Sequence, residues 1–172
     1  DAMPVHRVTM REGRLYELYV DLNQSGQLVE IEAEPSTLDL ARRFQNLGIE
    51  LSNGYRTEVN LALDQWVEKV ANTLDYGYIL LIDYGHDALS LYNQLRDRGT
   101  LRCYYRHTLN ANPYQHLGRQ DISVHVDFTS LIQLARTHGL HLLGYTTQAE
   151  FLNNLGFKYY RDAISSDEKI KS

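Results

Sequence analysis

Cysteine is nearly absent from this chain of 172 residues, in which Cys103 is the one thiol. A single cysteine cannot form a disulfide within the chain, and it cannot assemble a thiolate metal cluster. Such low cysteine use is typical of proteins from reducing compartments. Cys103 lies in a strand-like stretch without a paired base, which favours a small buried side chain over a nucleophile.

Long apolar runs and an excess of positive charge are also missing. No stretch reaches the roughly 18 apolar residues that a membrane helix requires, and no basic segment followed by an apolar run marks a signal peptide. The formal net charge is −5, whereas a non-specific nucleic-acid binder presents a basic face. The sequence therefore predicts no membrane span, no secretion and no nucleic-acid partner.

Three loop motifs of well-known enzyme classes do not occur. The chain has no G-x-G-x-x-G, no G-x-x-x-x-G-K-[ST] and no G-x-S-x-G. Without the first two, no familiar glycine-rich loop is present to cradle a phosphate group. The third motif is the nucleophile elbow, and its absence disfavours an α/β-hydrolase.

The patterns that are present indicate a mixed α/β chain whose length suits one domain of ordinary size. Residues 5–33 contain three strand-like stretches separated by glycine-containing turns, which predicts an antiparallel meander. Its strands are expected at 5–10, 15–22 and 28–33. Apolar residues at helical spacing then predict helices over 35–47 and 58–74.

The second half of the chain alternates strands with helices. The run Tyr78-Ile79-Leu80-Leu81-Ile82 is continuously apolar, which is typical of a parallel strand buried on both faces. Further strands are expected at 100–107, 121–126 and 140–145, and further helices at 128–138 and 147–155. Residues 158–172 lose periodicity and become charged, and they are expected to fray.

Asp83, Tyr84 and Gly85 follow this apolar run directly. In open α/β sheets, ligands bind beyond the carboxyl ends of the strands, so these three residues are candidates for a ligand site. The carboxylate could accept from a ligand's hydroxyl or amine, and Gly85 allows a close backbone approach. The alternative is a plain strand end with an Asx-type turn. His86 and Asp87 come next and are expected to be loop residues.

A second candidate site lies in residues 121–128. Asp121, Ser123, His125 and Asp127 alternate with apolar residues there, so they share one face of a strand. His125 beside a carboxylate could act as a general base or as half of a metal site. No third or fourth metal ligand clusters with it in the sequence. The alternative is a half-exposed strand followed by a helix that Asp127 caps.

Five stretches occur in an order that characterises one enzyme family. They are "DAMPVHRV" (1–8), "GYILLIDYG" (77–85), "GTLRCYYRHT" (99–108), "DISVHVDF" (121–128) and "QAEFLNNLG" (148–156). In these motifs and their spacing, the chain resembles the MidA-type class I S-adenosylmethionine-dependent methyltransferases. That family includes the mitochondrial arginine methyltransferase of complex I assembly.

The resemblance implies the fold class α/β, with part of a Rossmann-like methyltransferase sheet and an inserted antiparallel meander at 5–33. Residues 1–156 would be the middle-to-C-terminal part of the methyltransferase domain, and 157–172 a poorly patterned tail. In the family, the glycine-rich cofactor loop and the first three strands precede the segment that Asp1 begins. The chain alone is therefore expected to bind S-adenosyl-L-methionine weakly or not at all, and to be inactive by itself.

The resemblance also implies a set of site residues and no metal. The catalytic residues would be Asp1, Asp83 and His125. The cofactor would be bound by Met3, Pro4, Tyr84 and Gly85. The substrate pocket is inferred to contain Glu58, His107, Asp121 and Asp127. Carboxylates suit a guanidinium substrate because they bind the planar cation in bidentate fashion.

The function implied is methylation of a protein arginine, for example on a subunit of respiratory complex I. The compartment would be the bacterial cytoplasm or the mitochondrial matrix. The meander would dock the protein substrate or a second copy of the chain, which would give a homo-oligomer. The alternative is a non-catalytic α/β interaction module that docks a partner through the meander and its tyrosines.

Overall fold

The computed structural model describes residues 2–170, with side chains described as far as residue 164. The chain divides into two compact units, with the boundary between Leu140 and His141, where the length alone predicted one domain. The first unit contains the strands of the described residues, and the second contains two helices.

The first unit begins with the antiparallel meander that the sequence predicted. Its strands are β1 (His6–Arg11), β2 (Arg14–Leu22) and β3 (Leu28–Ala33). The turn between β1 and β2 places Glu12 and Gly13 at φ angles of 49° and 75°, a left-handed pair of the kind that tight hairpins require. The prediction of a three-stranded meander is confirmed.

A fourth strand extends this sheet where the sequence predicted the start of a helix. β4 (Arg56–Val59) pairs antiparallel with β1, which gives the strand order β3-β2-β1-β4. The helix prediction for residues 58–61 was wrong because β-branched Thr57 and Val59 favour a strand and fill the open edge of β1. α1 (Asp39–Leu47) precedes β4, and α2 (Ala62–Thr73) follows it.

Short elements connect α2 to the next long helix. They are β5 (Gly85–His86), α3 (Ala88–Leu91), a 3-10 turn (Gln94–Arg96), β6 (Arg102–Tyr105), β7 (Thr108–Asn110), β8 (Asp121–Ser123) and β9 (Val126–Asp127). β7, β6 and β8 form an antiparallel sheet, whereas β5 and β9 pair in parallel. The parallel sheet predicted for the second half is therefore present as one ladder of two-residue strands.

Two apolar clusters form the core of the first unit. In the first cluster, α1 packs against the four-stranded sheet through Leu40, Phe44, Val8 and Val59. In the second, α2 packs against α4 (Phe128–Thr137) through Leu63, Val67 and Leu131. The second cluster lies directly below the residues that the sequence proposed as a site.

Residues 78–82, called segment 78–82 from here on, were predicted as a buried parallel strand but are exposed. Tyr78 is 83% exposed and Leu80 is 64% exposed. The segment belongs to no ladder among the described residues, and the strand predicted at 140–145 fails in the same way. Apolar sequence forms a strand only where a neighbouring strand accepts and donates its backbone hydrogen bonds. Neither segment has such a neighbour in the described part of the chain.

The second unit consists of α5 (Gln148–Asn154) and α6 (Phe157–Ile170). α6 occupies residues that were expected to form a poorly patterned tail. Phe157, Tyr160 and Ile164 recur there at a helical spacing, which the charged residues around them obscure. Residues 171 and 172 lie outside the described residues. No helix in residues 2–170 is long and apolar enough to cross a bilayer.

Candidate functional site

A cavity of about 220 Å³ lies in the first unit, above the packing of α2 against α4. Its apolar wall is formed by Met3, Leu63, Trp66, Leu81, Ile82, Val124, Val126, Phe128 and Leu131. Its polar residues are Asn60, Asp83, His125 and Asp127. The structure thus brings four of the predicted site residues to one cavity, namely Met3, Asp83, His125 and Asp127.

The close pairing of β5 with β9 explains why Asp83 and His125 reach the same cavity. Gly85 lies opposite Val126 in this parallel ladder, and the Val126 N–H donates to the Tyr84 carbonyl at 2.8 Å. A Cβ on Gly85 would lie 2.2 Å from the Val126 carbonyl oxygen and 2.7 Å from the Phe128 ring. Only glycine allows the two backbones to come this close, which explains on steric grounds why the "DYG" stretch has glycine at residue 85.

His125 is held from behind by a chain of hydrogen bonds that begins on the meander sheet. The Thr100 N–H donates to Glu58 Oε2 at 2.8 Å, and the His125 N–H donates to Thr100 Oγ1 at 3.0 Å. Gly99 permits this arrangement, because a Cβ there would lie 2.4 Å from Glu58 Oε1. Glu58 was predicted to bind substrate, but the structure places it behind His125 and outside the cavity lining.

The Glu58 carboxyl is buried in a polar cluster, with 4% of its side chain exposed. Burial raises its pKa, although hydrogen bonds from Thr100 and the charge of Arg7 act in the opposite direction. Arg7 Nε lies 3.8 Å from Glu58 Oε1, and Arg7 also pairs with Glu30 of β3. This cluster therefore connects three strands of the meander sheet to the loop that positions His125.

The surroundings of the His125 ring favour its uncharged form. Burial lowers its pKa, and the nearby His86, Arg96 and Arg102 lower it further, while Asp83 opposes them. Its Nδ1 atom is buried and has no hydrogen-bond partner among the described residues. A neutral imidazole at a cavity wall can accept a proton from a bound group.

Asp127 serves as a helix cap, as the sequence predicted. Its Oδ1 accepts from the Ser130 N–H at 3.0 Å, and its Oδ2 accepts from the Ser130 hydroxyl at 2.5 Å. Both oxygens are thus occupied at the start of α4, which satisfies helix N–H groups that lack an internal partner. Asp83 is also engaged, because its Oδ1 accepts from the Tyr84 N–H at 2.7 Å, which is the Asx-type contact that the sequence offered as the alternative.

The other predicted site residues lie elsewhere. Tyr84 is 75% exposed, and Pro4 is exposed near the N-terminus. His107 is exposed in the turn between β6 and β7, with φ at 64°, and Asp121 is exposed on β8. None of these four lines the cavity. Asp1 lies outside the described residues.

Several residues at the site were not predicted from the sequence. His86, expected to be a loop residue, lies on β5 with its ring centroid 5.2 Å from that of His125. Asn60 lines the cavity and accepts from the Leu63 N–H at 3.0 Å. Its signal was its position just before a helix, where asparagine is a favoured cap. Trp66 belongs to the apolar stripe of α2, so its sequence signal was that of a core residue.

Comparisons with known proteins agree on one family. Residues 1–146 match the family described as "Putative S-adenosyl-L-methionine-dependent methyltransferase". The chain is 25% identical over 163 residues to the mitochondrial protein arginine methyltransferase NDUFAF7 homolog of Caenorhabditis elegans, covering 92% of this chain and 36% of that protein. It is 26% identical over 176 residues to mitochondrial NDUFAF7 of Danio rerio, covering 100% of this chain and 39% of that protein.

One solved structure is similar in fold to nearly all of the chain. It is a COG1565 superfamily member from Burkholderia thailandensis bound to S-adenosyl-homocysteine, with a TM-score of 0.90 and 35% identity. The match covers 98% of this chain and 43% of that protein, so the chain spans less than half the length of each of these relatives. By the extent of the family match, this chain belongs to the MidA-type family of S-adenosyl-L-methionine-dependent methyltransferases.

Proposed function

We propose that the cavity forms part of the methyl-transfer site of a protein arginine methyltransferase. The observation that supports this most is the meeting of two strand ends, which brings Asp83 and His125 to one cavity wall. A carboxylate and a neutral imidazole are the groups that a cationic nucleophile needs. The named relatives, two of which are described as protein arginine methyltransferases, support the same substrate class.

The cavity residues suit one part of the cofactor of this family. Leu81, Ile82 and Phe128 present carbon surface that can cover the carbon atoms of a nucleoside thioether, and Asp83 offers a carboxylate to its hydroxyl or amine. We propose that Met3, Pro4, Tyr84 and Gly85 complete this side of the site. When bound, S-adenosyl-L-methionine supplies a methyl group attached to a positively charged sulfur.

The residues of this chain would then bind the substrate arginine and remove a proton from it. A guanidinium has a pKa above about 12, so its nitrogen becomes a nucleophile only as a proton leaves it. Asp83 can accept a hydrogen bond from the cation, and His125 can accept the departing proton. Asp1, His107, Asp121 and Asp127 are proposed to contact the substrate, whereas Glu58 acts through Thr100.

The partner that we propose is a protein with an accessible arginine, such as a subunit of respiratory complex I. The relatives are mitochondrial or bacterial proteins, which supports the mitochondrial matrix or the bacterial cytoplasm as the compartment. The meander, with its exposed Val20, Leu22 and Ile31, is proposed to dock that protein or a second copy of the chain.

One observation favours a second candidate function. Segment 78–82 leaves apolar side chains exposed, as expected of an interaction module that adds a strand from a partner. Such a module would bind its partner through the exposed side chains of segment 78–82 without catalysing a reaction. The two functions differ in what the cavity binds.

The test is a titration of the ¹⁵N-labelled chain with S-adenosyl-homocysteine, followed by amide chemical shifts. Methyl transfer predicts weak binding with shifts confined to cavity residues, and Asp83→Asn should weaken it by about tenfold, equal to about 1.4 kcal/mol. Asp97→Asn, an exposed carboxylate outside the cavity, is the matched control. Shifts confined to surfaces outside the cavity would reject the cavity as a cofactor site and favour the interaction module.

A further inference from the structure

His86 and Arg96 form a second layer behind the cavity that no predicted role accounts for. Arg96 extends from the 3-10 turn, and its Nη2 lies 3.1 Å from His86 Nε2. Its Nη1 donates to the Ser90 carbonyl at 2.7 Å, which ties the guanidinium to the end of α3. The His86 ring then contacts the His125 ring at a centroid distance of 5.2 Å and a tilt of 46°.

The chemistry of arginine fixes the state of His86 in this contact. A guanidinium can donate hydrogen bonds but cannot accept them, so His86 Nε2 must be the acceptor and carry no proton. The neutral ring therefore keeps its proton on Nδ1. A second proton on His86 would place two cations 3.1 Å apart, which is unfavourable.

We infer that His86 and Arg96 are positioning residues for His125: Arg96 fixes the tautomer of His86, and the His86 ring holds the His125 imidazole at the cavity wall. This inference rests on the proposed function, in which His125 accepts a proton from arginine. The site must admit a cationic substrate and a cationic methyl donor. A protonated histidine pair beside it would repel both, whereas a neutral pair would not.

The charged groups around the pair come from several elements. Arg96 of the 3-10 turn and Asp87 at the start of α3 face His86. Arg96, Arg102 of β6 and Asp83 act on His125, together with His86 itself. Burial lowers the pKa of each histidine most, and the nearby arginines lower it further against the opposing carboxylate.

The test is a long-range ¹H–¹⁵N spectrum of the histidine rings in the full 172-residue chain. We expect His86 to show the pattern of a ring protonated on Nδ1 alone. In Arg96→Met, the donor is lost, so His86 should shift toward the Nε2–H form and the pKa of both rings should rise. Arg98→Met removes an exposed arginine two residues away and should leave both rings unchanged.

A wild-type His86 protonated on Nε2 would overturn the inference without any variant being needed. So would an Arg96→Met chain that keeps its amide spectrum but shows unchanged tautomer and pKa values at His86 and His125. The measurement uses neither methyl donor nor acceptor. A negative result in the histidine spectra would therefore not bear on the proposed function. Likewise, a failure of S-adenosyl-homocysteine to bind would not affect the interpretation of the histidine spectra.

Discussion

Leu18 in β2 and Leu80 in segment 78–82 lie in similar stretches of leucine, tyrosine and β-branched residues. Leu18 is 8% exposed, whereas Leu80 is 64% exposed. β2 has β1 on one side and β3 on the other, but segment 78–82 has no strand on either side among the described residues. The contrast teaches that strand sequence supplies the propensity, and that a neighbouring strand decides whether a ladder forms. Burial also needs a covered face, because Leu22 of the paired strand β2 is 61% exposed.

The largest difference between these regions should appear in amide hydrogen exchange. Ladder amides of β1, β2 and β3 exchange only when the sheet opens, at a cost that approaches the global free energy of unfolding. For a stability of about 5 kcal/mol, they should exchange at least about 10³-fold more slowly than unpaired amides. Amides of residues 78–82 should exchange near the unstructured rate. Equal protection in the two regions would show that segment 78–82 pairs in solution.

Gly85 is the point at which the extended segment joins a ladder, so Gly85→Ala tests that junction. The added Cβ would meet the Val126 carbonyl at 2.2 Å, and we expect a loss of about 3 kcal/mol in the free energy of unfolding. Urea unfolding measures it. Gly144→Ala is the matched control, because a Cβ there meets nothing within 4 Å. Similar small losses in both variants would mean that β5 and β9 are not closely packed.

A shared location for Asp83 and His125 could be predicted from the sequence, whereas the residues that support them could not. The "DYG" stretch ends an apolar run and ligands bind beyond the carboxyl ends of parallel strands, although in the structure Asp83 and His125 precede the paired residues of β5 and β9. His86, Arg96 and Thr100 act through contacts between segments that are distant in sequence, with no periodicity to reveal them. Glu58 was read as helical because the apolar stripe of α2 continues backward through β4.

The substitutions Leu18→Ala and Leu80→Ala remove the same atoms from β2 and from segment 78–82. They therefore compare how much a leucine contributes to stability in the two regions. Leu18→Ala removes most of a side chain that is 8% exposed and should cost about 2–3 kcal/mol. Leu80→Ala removes an exposed side chain and should change stability by less than about 0.5 kcal/mol. Chemical unfolding of both variants at one pH measures the difference. A loss at Leu80 as large as that at Leu18 would show that segment 78–82 is covered in solution.

The smallest effect that we predict concerns Glu58, where the meander sheet meets the site. Because burial raises the pKa of this carboxyl, the folded chain binds its proton more tightly than the unfolded chain does. Its contribution to stability is therefore complete below the unfolded pKa, about 4.5, and is lost as the pH rises through the folded pKa. Glu58→Gln keeps an acceptor for Thr100 without the charge.

The free energy of unfolding of Glu58→Gln minus that of the wild type should therefore increase as the pH rises above about 4.5. This difference should become constant once the carboxyl of the folded wild type is ionised. Glu12→Gln, at the exposed turn of the meander, controls for the change in net charge. Unfolding curves from pH 4 to 8 measure the difference. If the curves of Glu58→Gln and the wild type ran parallel across this range, the buried carboxylate would be fully compensated by Arg7 and Thr100. The connection between the meander and His125 would then carry no electrostatic cost.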